Sequence, residues 1–250
     1  MATNNISRSS RSPVFARSGG VTRAVSPSDS DFSFTSPVFI VGLQAEARLV
    51  RAFGPVGIGV HAAAEMAARG AAALISCGLA GGLDPALSPG AIIIPRVVLG
   101  AEGERFAADP RLIAGLGGAT AEALLDVPQV IARAAEKARL FAATNAAALD
   151  MESGAVARAA RARGIPFAVL RAVCDPATRD LPPAALTALD QRGAIGLARV
   201  LASLLAQPRQ IIGLLALARD AAAARSALRQ ALAGFSFPGF PGHKAAAAPG

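Results

Sequence analysis

ALDMESGAVARAARARGIPFAVLRAVCDP, residues Ala148–Pro176, decides the fold class, because it reads as a helix that leads into a buried strand. Asp150 is a predicted N-cap and Gly164 a predicted C-cap of the Ala-rich helix between them. The segment Pro166–Val173 shows no polar alternation except Arg171, which is typical of a strand covered on both faces. A helix leading into such a strand indicates an α/β sheet with helices on both sides.

Other apolar runs and helical segments alternate in the same way along the chain. The predicted strands are Val38–Leu43, Ala71–Cys77 and Ala91–Gly100 (interrupted by Pro95), and the predicted helices are His61–Gly70 and Ala132–Ala143. The segment Gly78–Gly90 is rich in Gly and Pro, which predicts a loop. This alternation predicts three layers, α/β/α.

The composition changes near both ends and predicts the domain boundaries. Residues 1–36 are rich in Ser and Arg and are predicted to be a disordered extension, and residues 234–250 a disordered tail. Residues 37–233 are predicted to form one domain. Within it, residues 184–233 are predicted to be C-terminal helices, which Pro208 divides.

Composition and charge exclude several classes of function. The net charge is +8, carried mostly by Arg, which favours a phosphorylated ligand or an anionic membrane surface. Nucleic acid is not an expected partner, because the chain has no Trp or Tyr to interleave with its basic residues. Two Cys and two His offer no metal-ligand spacing, so no metal is expected, and a reducing cytoplasm is the default location.

Charged residues gather where predicted strands end. Asp175 follows a strand, Glu152 opens the preceding helix, and Gly78 follows another strand. Ligands of open α/β sheets bind at the carboxyl ends of strands, which favours a site here. Two alternatives stay open: Asp175 before a proline could be an ordinary turn residue, and Glu152 a first-turn residue favoured by the helix dipole.

Arg171 supports a site more strongly, because a buried Arg inside an apolar strand needs a carboxylate partner. Glu152 or Asp175 is the predicted partner. The glycines Gly78, Gly81 and Gly82 do not match the G-x-G-x-x-G spacing of a dinucleotide site. No organic cofactor is therefore expected.

Taken together, these segments resemble the nucleoside phosphorylase and nucleosidase superfamily. A Met-Glu pair opens a helix, and an Arg-containing strand ending in Asp follows, as in bacterial methylthioadenosine/adenosylhomocysteine nucleosidases. The nearer resemblance is to the hopanoid-associated phosphorylases, over about Val38–Leu232, through VGLQAEAR, GLAGGLDPALSPG, AEKARL, DMES and DPATRDLPPAAL. The resemblance implies a nucleoside phosphorylase/hydrolase-like fold with a central mixed sheet and extra C-terminal helices.

The resemblance also implies cleavage of the N-glycosidic bond of an adenine nucleoside. Asp175 would protonate N7 of adenine, Glu46 would activate water, Glu152 would bind the ribose hydroxyls and Met151 would pack on the ribose. Arg171 would hold a carboxylate ionised. Backbone N–H groups near Gly78, Gly81 and Gly82 would hold the base or an anion.

The substrate implied by the subgroup is adenosylhopane, a lipid-linked nucleoside of hopanoid biosynthesis. That substrate implies a cytoplasmic protein peripheral to the inner membrane face. A homodimer is also expected. Inorganic phosphate stays open as a co-substrate, so hydrolysis and phosphorolysis are both alternatives. The alternative functions are a soluble methylthioadenosine/adenosylhomocysteine-type nucleosidase and a non-catalytic membrane-surface or nucleoside-binding protein.

Overall fold

The apolar run that was predicted to open the domain forms the first strand, β1 (Val38–Val41), and all four of its residues are buried. In the computed structural model, the described residues are 36–183, 185, 210–235 and 237. The predicted extension and most of the predicted tail lie outside them, as does the helix expected before Pro208.

The described elements alternate between strand and helix, as predicted. The strands are β1, β2 (Val56–Ile58), β3 (Leu74–Gly82), β4 (Ile92–Ile93), β5 (Pro95–Leu99), β6 (Arg105–Ala107), β7 (Ala121–Asp126), β8 (Ala148–Asp150) and β9 (Phe167–Asp175). The helices are α1 (Gln44–Val50), α2 (Val60–Ala68), α3 (Pro110–Gly115), α4 (Ala134–Thr144), α5 (Ser153–Arg163) and, late in the chain, α6 (Gln210–Ala233).

The strands form one mixed sheet in the order β2-β1-β3-β8-β7-β5-β6, and β9 pairs with β3 and β4. β3 is central: β9 runs parallel to it along one edge, while β1 and then antiparallel β8 occupy the other edge. β8 and β9 therefore both pair with β3 at Gly81.

Helices cover both faces of this sheet. Going from β1 to β2 and then from β2 to β3 moves in opposite directions across the sheet. Right-handed crossovers then place α1 and α2 on opposite faces. α2 packs with α5, and α1 with α6. The predicted three-layer α/β/α architecture with a mixed central sheet is confirmed.

Residues Gly78–Gly82 are not a loop, which corrects the sequence prediction. They complete β3 and pair with β9, with β8 joining at the last two residues. Glycine is generally unfavourable in a strand and marks places where other groups approach the backbone closely. At Gly78 the side chains of Glu46 and Arg171 make this close approach.

Asp150 is not the N-cap of α5, which is a second correction. It is the last residue of β8, and Glu152 occupies the N-cap position. The predicted C-cap is confirmed, because Gly164 ends α5 with φ 63°. Asp150 still accepts a hydrogen bond from the backbone N–H of Ser153 at 3.2 Å.

The start of the predicted disordered tail, residue 234, is too early in the sequence. Phe235 and Phe237 are buried, with 4% and 6% of their surfaces exposed, and the ring of Phe235 lies 5.4 Å from that of Phe39 in β1. The apolar surface of the core therefore extends beyond α6. Pro95, expected to interrupt a strand, is the first residue of β5, a position where its missing N–H is tolerated.

Candidate active site

The carboxyl-terminal halves of β3 and β9 lie side by side and carry the charged residues singled out in the sequence. Gly78 lies opposite Arg171, and Gly81 lies opposite Asp175. The register shifts between Ala80 and Gly81, so Cys174 is an extra residue in β9. A bulge of this kind re-aims the side chain that follows it, here Asp175.

Arg171 is the buried cation of the site, with 1% of its surface exposed. Its Nη2 lies 2.5 Å from Oδ2 of Asp150 and 3.1 Å from Oε2 of Glu152, and it donates to Oγ of Ser76 at 2.8 Å. Ser153 Oγ donates to Asp150 and contacts Ser76 Oγ at 3.0 Å. One guanidinium therefore ties the end of β8 and the start of α5 to β3.

Of the two alternative partners predicted for Arg171, the structure selects Glu152. Glu152 pairs with it, whereas Asp175 pairs with Lys137 instead. The partner that the sequence reasoning missed is Asp150, because that residue was assigned to a helix cap. Its place at the end of β8 depends on the parallel pairing of Asp150 with Asp126 of β7.

Glu46 lies in the first turn of α1 and is buried, with 6% of its surface exposed. Its Oε2 accepts from the backbone N–H groups of Gly42 and Leu43, each at 3.0 Å, and its Oε1 accepts from Leu79 N–H at 2.9 Å. Three backbone donors therefore hold the carboxylate between β1 and β3.

Two glycines show how closely the charged groups approach one another. A Cβ at Gly78 would lie 2.5 Å from Oε1 of Glu46 and 2.6 Å from Nη1 of Arg171. A Cβ at Gly42 would lie 2.7 Å from Oε1 of Glu152. Only glycine leaves room for these side chains, which converge on one place at the edge of the sheet.

Asp175 lies at the other end of the site. Its side chain is buried, with Oδ2 accepting from Nζ of Lys137 at 2.6 Å. Its Oδ1 has no hydrogen-bond partner within the described part of the chain. Gly81 lies three residue steps beyond Gly78 in β3, which corresponds to about 10 Å of backbone at roughly 3.3 Å per residue. The positions in β3 beside which Asp175 and Glu46 lie are thus separated by the length of a small ligand.

Met151 and Glu152 lie between the end of β8 and the start of α5. They follow β8, which runs antiparallel to β3 with Leu149 opposite Gly81. Met151 is 43% exposed, unusually open for a large apolar side chain, and Glu152 follows it at the N-cap of α5. The structure therefore brings all of the predicted site residues to one edge of the sheet.

Sequence reasoning missed Lys137 as a member of the site. It lies in α4 and is fully buried, although the flanking residues of that helix are mostly exposed. The signal in the sequence was weak, because a Lys within AEKARL reads as an exposed helical residue. Lys137 and Asp175 are 38 positions apart in the chain, so their contact depends on the tertiary structure.

Burial affects the pKa of two carboxyls of the site. It raises the pKa of Asp175, although the hydrogen bond from Lys137 opposes the shift. It also raises the pKa of Glu152, where Arg171 opposes the shift and Asp150 and Glu46 add to it. A carboxyl with a raised pKa can hold a proton closer to neutral pH and donate it.

Arg171 keeps its charge in this setting. Burial alone would lower its pKa, but the carboxylates of Asp150, Glu152 and Glu46 together raise it above its ordinary value. Three carboxylates thus surround one guanidinium. The positive charge of Arg171 is already balanced by these carboxylates. Within the described chain, no group of three or more His, Cys, Asp or Glu side chains is arranged to hold a metal ion.

The two cysteines that flank the site are thiols rather than thiolates. Burial raises the pKa of both Cys77 and Cys174 to about 12. Cys77 lies within the core cluster. The environment therefore supports a packing role for these residues instead of a nucleophilic one.

Comparison with known families agrees with this description. Residues 112–206 match the Phosphorylase superfamily. No curated protein matches the chain at a significant level. The predicted resemblance to the phosphorylase and nucleosidase superfamily is confirmed at the level of that superfamily.

Solved structures show the same fold. A 5′-methylthioadenosine/S-adenosylhomocysteine nucleosidase from Neisseria meningitidis, in complex with methylthio-immucillin-A, is 19% identical, with a TM-score of 0.54 over 78% of this chain and 96% of that one. The apo 5′-methylthioadenosine nucleosidase of Arabidopsis thaliana is 19% identical, with a TM-score of 0.53 over 78% and 93%. A nucleosidase from Colwellia psychrerythraea, solved with adenine, has a TM-score of 0.52 at 19% identity over 68% and 94%.

Proposed function

We propose that this protein hydrolyses the N-glycosidic bond of an adenine nucleoside and releases adenine. One observation carries the proposal: Asp175 is buried, its Oδ1 has no partner within the described residues, and it lies beside Gly81, about 10 Å of β3 backbone from Gly78, where the Glu46 carboxylate lies. A proton donor at one end and carboxylates at the other fit a base and a sugar. The nucleosidases of similar fold support the choice of adenine.

Each residue has a role in the proposed reaction. Asp175 gives its proton to N7 of adenine, and the C–N bond breaks with its electron pair passing to the base. Water adds to the anomeric carbon and loses a proton to Glu46. Glu152 accepts hydrogen bonds from the ribose hydroxyls, and these strengthen as the sugar gains positive charge. Met151 packs against the sugar.

Charge favours water over phosphate as the second substrate. A phosphate site needs cations or hydroxyl donors that are free to bind the anion. Here the cation Arg171 is already paired with two carboxylates. Arg48, Arg51 and Arg69 are all exposed, and Arg69 pairs with Glu65 at 3.5 Å. An incoming phosphate would meet Glu46 and Glu152 instead of free positive charge.

We further propose that the nucleoside is lipid-linked, as adenosylhopane is. The resemblance of motifs such as DPATRDLPPAAL supports this choice, as do three exposed apolar residues at the start of α6, where Ile211, Ile212 and Leu215 are 52%, 74% and 61% exposed. None of the described helices combines the length and apolarity needed to cross a bilayer. The second candidate is a nucleosidase for methylthioadenosine or adenosylhomocysteine, which the structures of similar fold favour.

Adenine release by the purified full-length protein tests both levels of the proposal. Adenosylhopane in lipid vesicles and methylthioadenosine in solution would be supplied separately, each with and without inorganic phosphate. We expect release from both, faster from the lipid-linked substrate, at rates that phosphate does not raise. Release that requires phosphate would show that the protein is a phosphorylase. Faster release from methylthioadenosine would favour the second candidate. If no substrate releases adenine, the proposed enzymatic activity is refuted.

Replacing Glu152 by Gln should weaken catalysis in a way that depends on the ribose. A carboxylate can accept from two hydroxyls, whereas an amide offers one acceptor and one donor. Hydrogen bonds to a charged group contribute about 1.5–3 kcal/mol, so kcat/KM should fall by about 10- to 100-fold. The measurement is adenine release from a ribonucleoside and from its 2′-deoxy analogue.

The loss should be smaller for the 2′-deoxy substrate, because one of the hydrogen bonds is already absent. Glu122→Gln is the matched control, since that Glu is 68% exposed and, among the described residues, pairs with the exposed Arg96 at 3.7 Å. Equal losses for both substrates would mean that Glu152 is not the ribose ligand.

A further inference from the structure

The ammonium group of Lys137 uses all of its N–H donors in hydrogen bonds. Its side chain is fully buried and its Nζ donates to Oδ2 of Asp175 at 2.6 Å, to the carbonyl of Pro176 at 3.0 Å and to that of Arg179 at 3.2 Å. An ammonium group has three protons to donate. All three are directed at Asp175 and the turn that follows it.

The turn after Asp175 is joined to α4 by further bonds. Asp180 accepts from the backbone N–H of Ala134 at 2.7 Å, and Leu181 N–H donates to the carbonyl of Ala132 at 2.8 Å. The start of α4 and the chain that leaves β9 are thereby held together. Lys137 lies within this unit, so its ammonium group has a defined position relative to the backbone of Asp175.

We propose that Lys137 is the positioning residue for Asp175: it holds Oδ2 and leaves Oδ1 as the oxygen that carries the proton to the leaving base. This inference rests on the proposed function, which it extends by one residue. An unconstrained carboxyl could rotate about its Cβ–Cγ bond to any orientation. The ammonium group fixes the plane of the carboxyl, because one oxygen stays bonded to Nζ and the other is then the oxygen available to the base.

Other charges near Asp175 have separate partners. Arg179 pairs with Asp220 of α6, and these two groups act on Asp175 with opposite signs. Cys174, beside Asp175 in β9, is a neutral thiol because burial raises its pKa to about 12. Among the groups that face Asp175, Lys137 is the one that bonds to its carboxylate.

Replacing Lys137 by Met tests the role with two independent measurements. The pKa of Asp175, followed by NMR of its labelled carboxyl carbon, should rise, because the cation that opposes the effect of burial is gone. The kcat for adenine release should fall by up to about 100-fold, as expected for a misplaced acid. Lys137→Arg should recover part of this loss. Arg139→Met, an exposed cation on the same helix, is the matched control and should change neither quantity.

The combination with Asp175→Asn separates positioning from a purely structural role. If Lys137 acts through Asp175, Lys137→Met should lower kcat little further when Asp175 is already Asn. An unchanged pKa of Asp175 in Lys137→Met, or losses that multiply in the double variant, would overturn the proposal. The NMR titration needs no activity, so it tests the inference even if the proposed reaction is wrong.

Discussion

Asp175→Asn is expected to lower the rate of adenine release by about 10²–10⁴-fold, the usual contribution of a general acid. An amide cannot give up a proton at neutral pH, but it has the shape of the carboxyl and keeps an acceptor for Lys137. The free energy of unfolding should therefore change far less than the rate. Adenine release measured by chromatography, beside chemical denaturation of the same preparation, checks both.

The pH profile gives a second test of Asp175 as the acid. The group must be protonated to act, so the rate should fall as pH rises through its pKa, which burial places above the ordinary value. Asp175→Asn should lose this limb of the profile. Asp109→Asn is the control, because that Asp caps α3 beside Phe167, at the far end of β9, and Asn caps helices equally well. A near-normal rate in Asp175→Asn would refute the assignment.

Arg171→Met should have the largest effect on stability. Removing one partner of a buried ion pair costs about 3–5 kcal/mol, because the remaining charge is left uncompensated. Asp150, which is 5% exposed, and the more open Glu152 would both lose their cation. Total stabilities are usually about 5–15 kcal/mol, so this variant should be close to unfolding at 37 °C. Urea denaturation gives the free energy of unfolding directly.

Two further variants test the cause of that loss. Arg111→Met removes a cation whose side chain is 76% exposed and should leave stability nearly unchanged. Adding Asp150→Leu to Arg171→Met should restore part of the stability, because the uncompensated carboxylate is then gone. If Arg171→Met alone has the same free energy of unfolding as the wild-type protein, the buried network does not stabilise the fold.

Several elements could be predicted from local patterns alone. β1 is a run of apolar residues, α5 ends at a glycine in the left-handed conformation, and β9 is an apolar strand with a single charge. The placement of Asp175 at the end of β9 follows from the same pattern. These features depend on residues that are neighbours in the chain, which is why the sequence is sufficient to find them.

Other features depend on residues far apart in the chain. Gly78–Gly82 looks like a loop in isolation, and it is a strand because β8 and β9 pair with it from both edges. Lys137 looks like a surface residue until α4 packs against the turn after β9. No local rule could have found either result, since the partners lie tens of residues away.

The sequence alone therefore determined the alternation of strands and helices and the kinds of chemical groups at the edge of the sheet. The tertiary structure decided which carboxylate meets which cation: Asp150 and Glu152 bind Arg171, and Asp175 binds Lys137. The reason is physical. A buried charge takes the partner that the packing of strands and helices places within hydrogen-bond distance, and neighbours in sequence are only some of those partners.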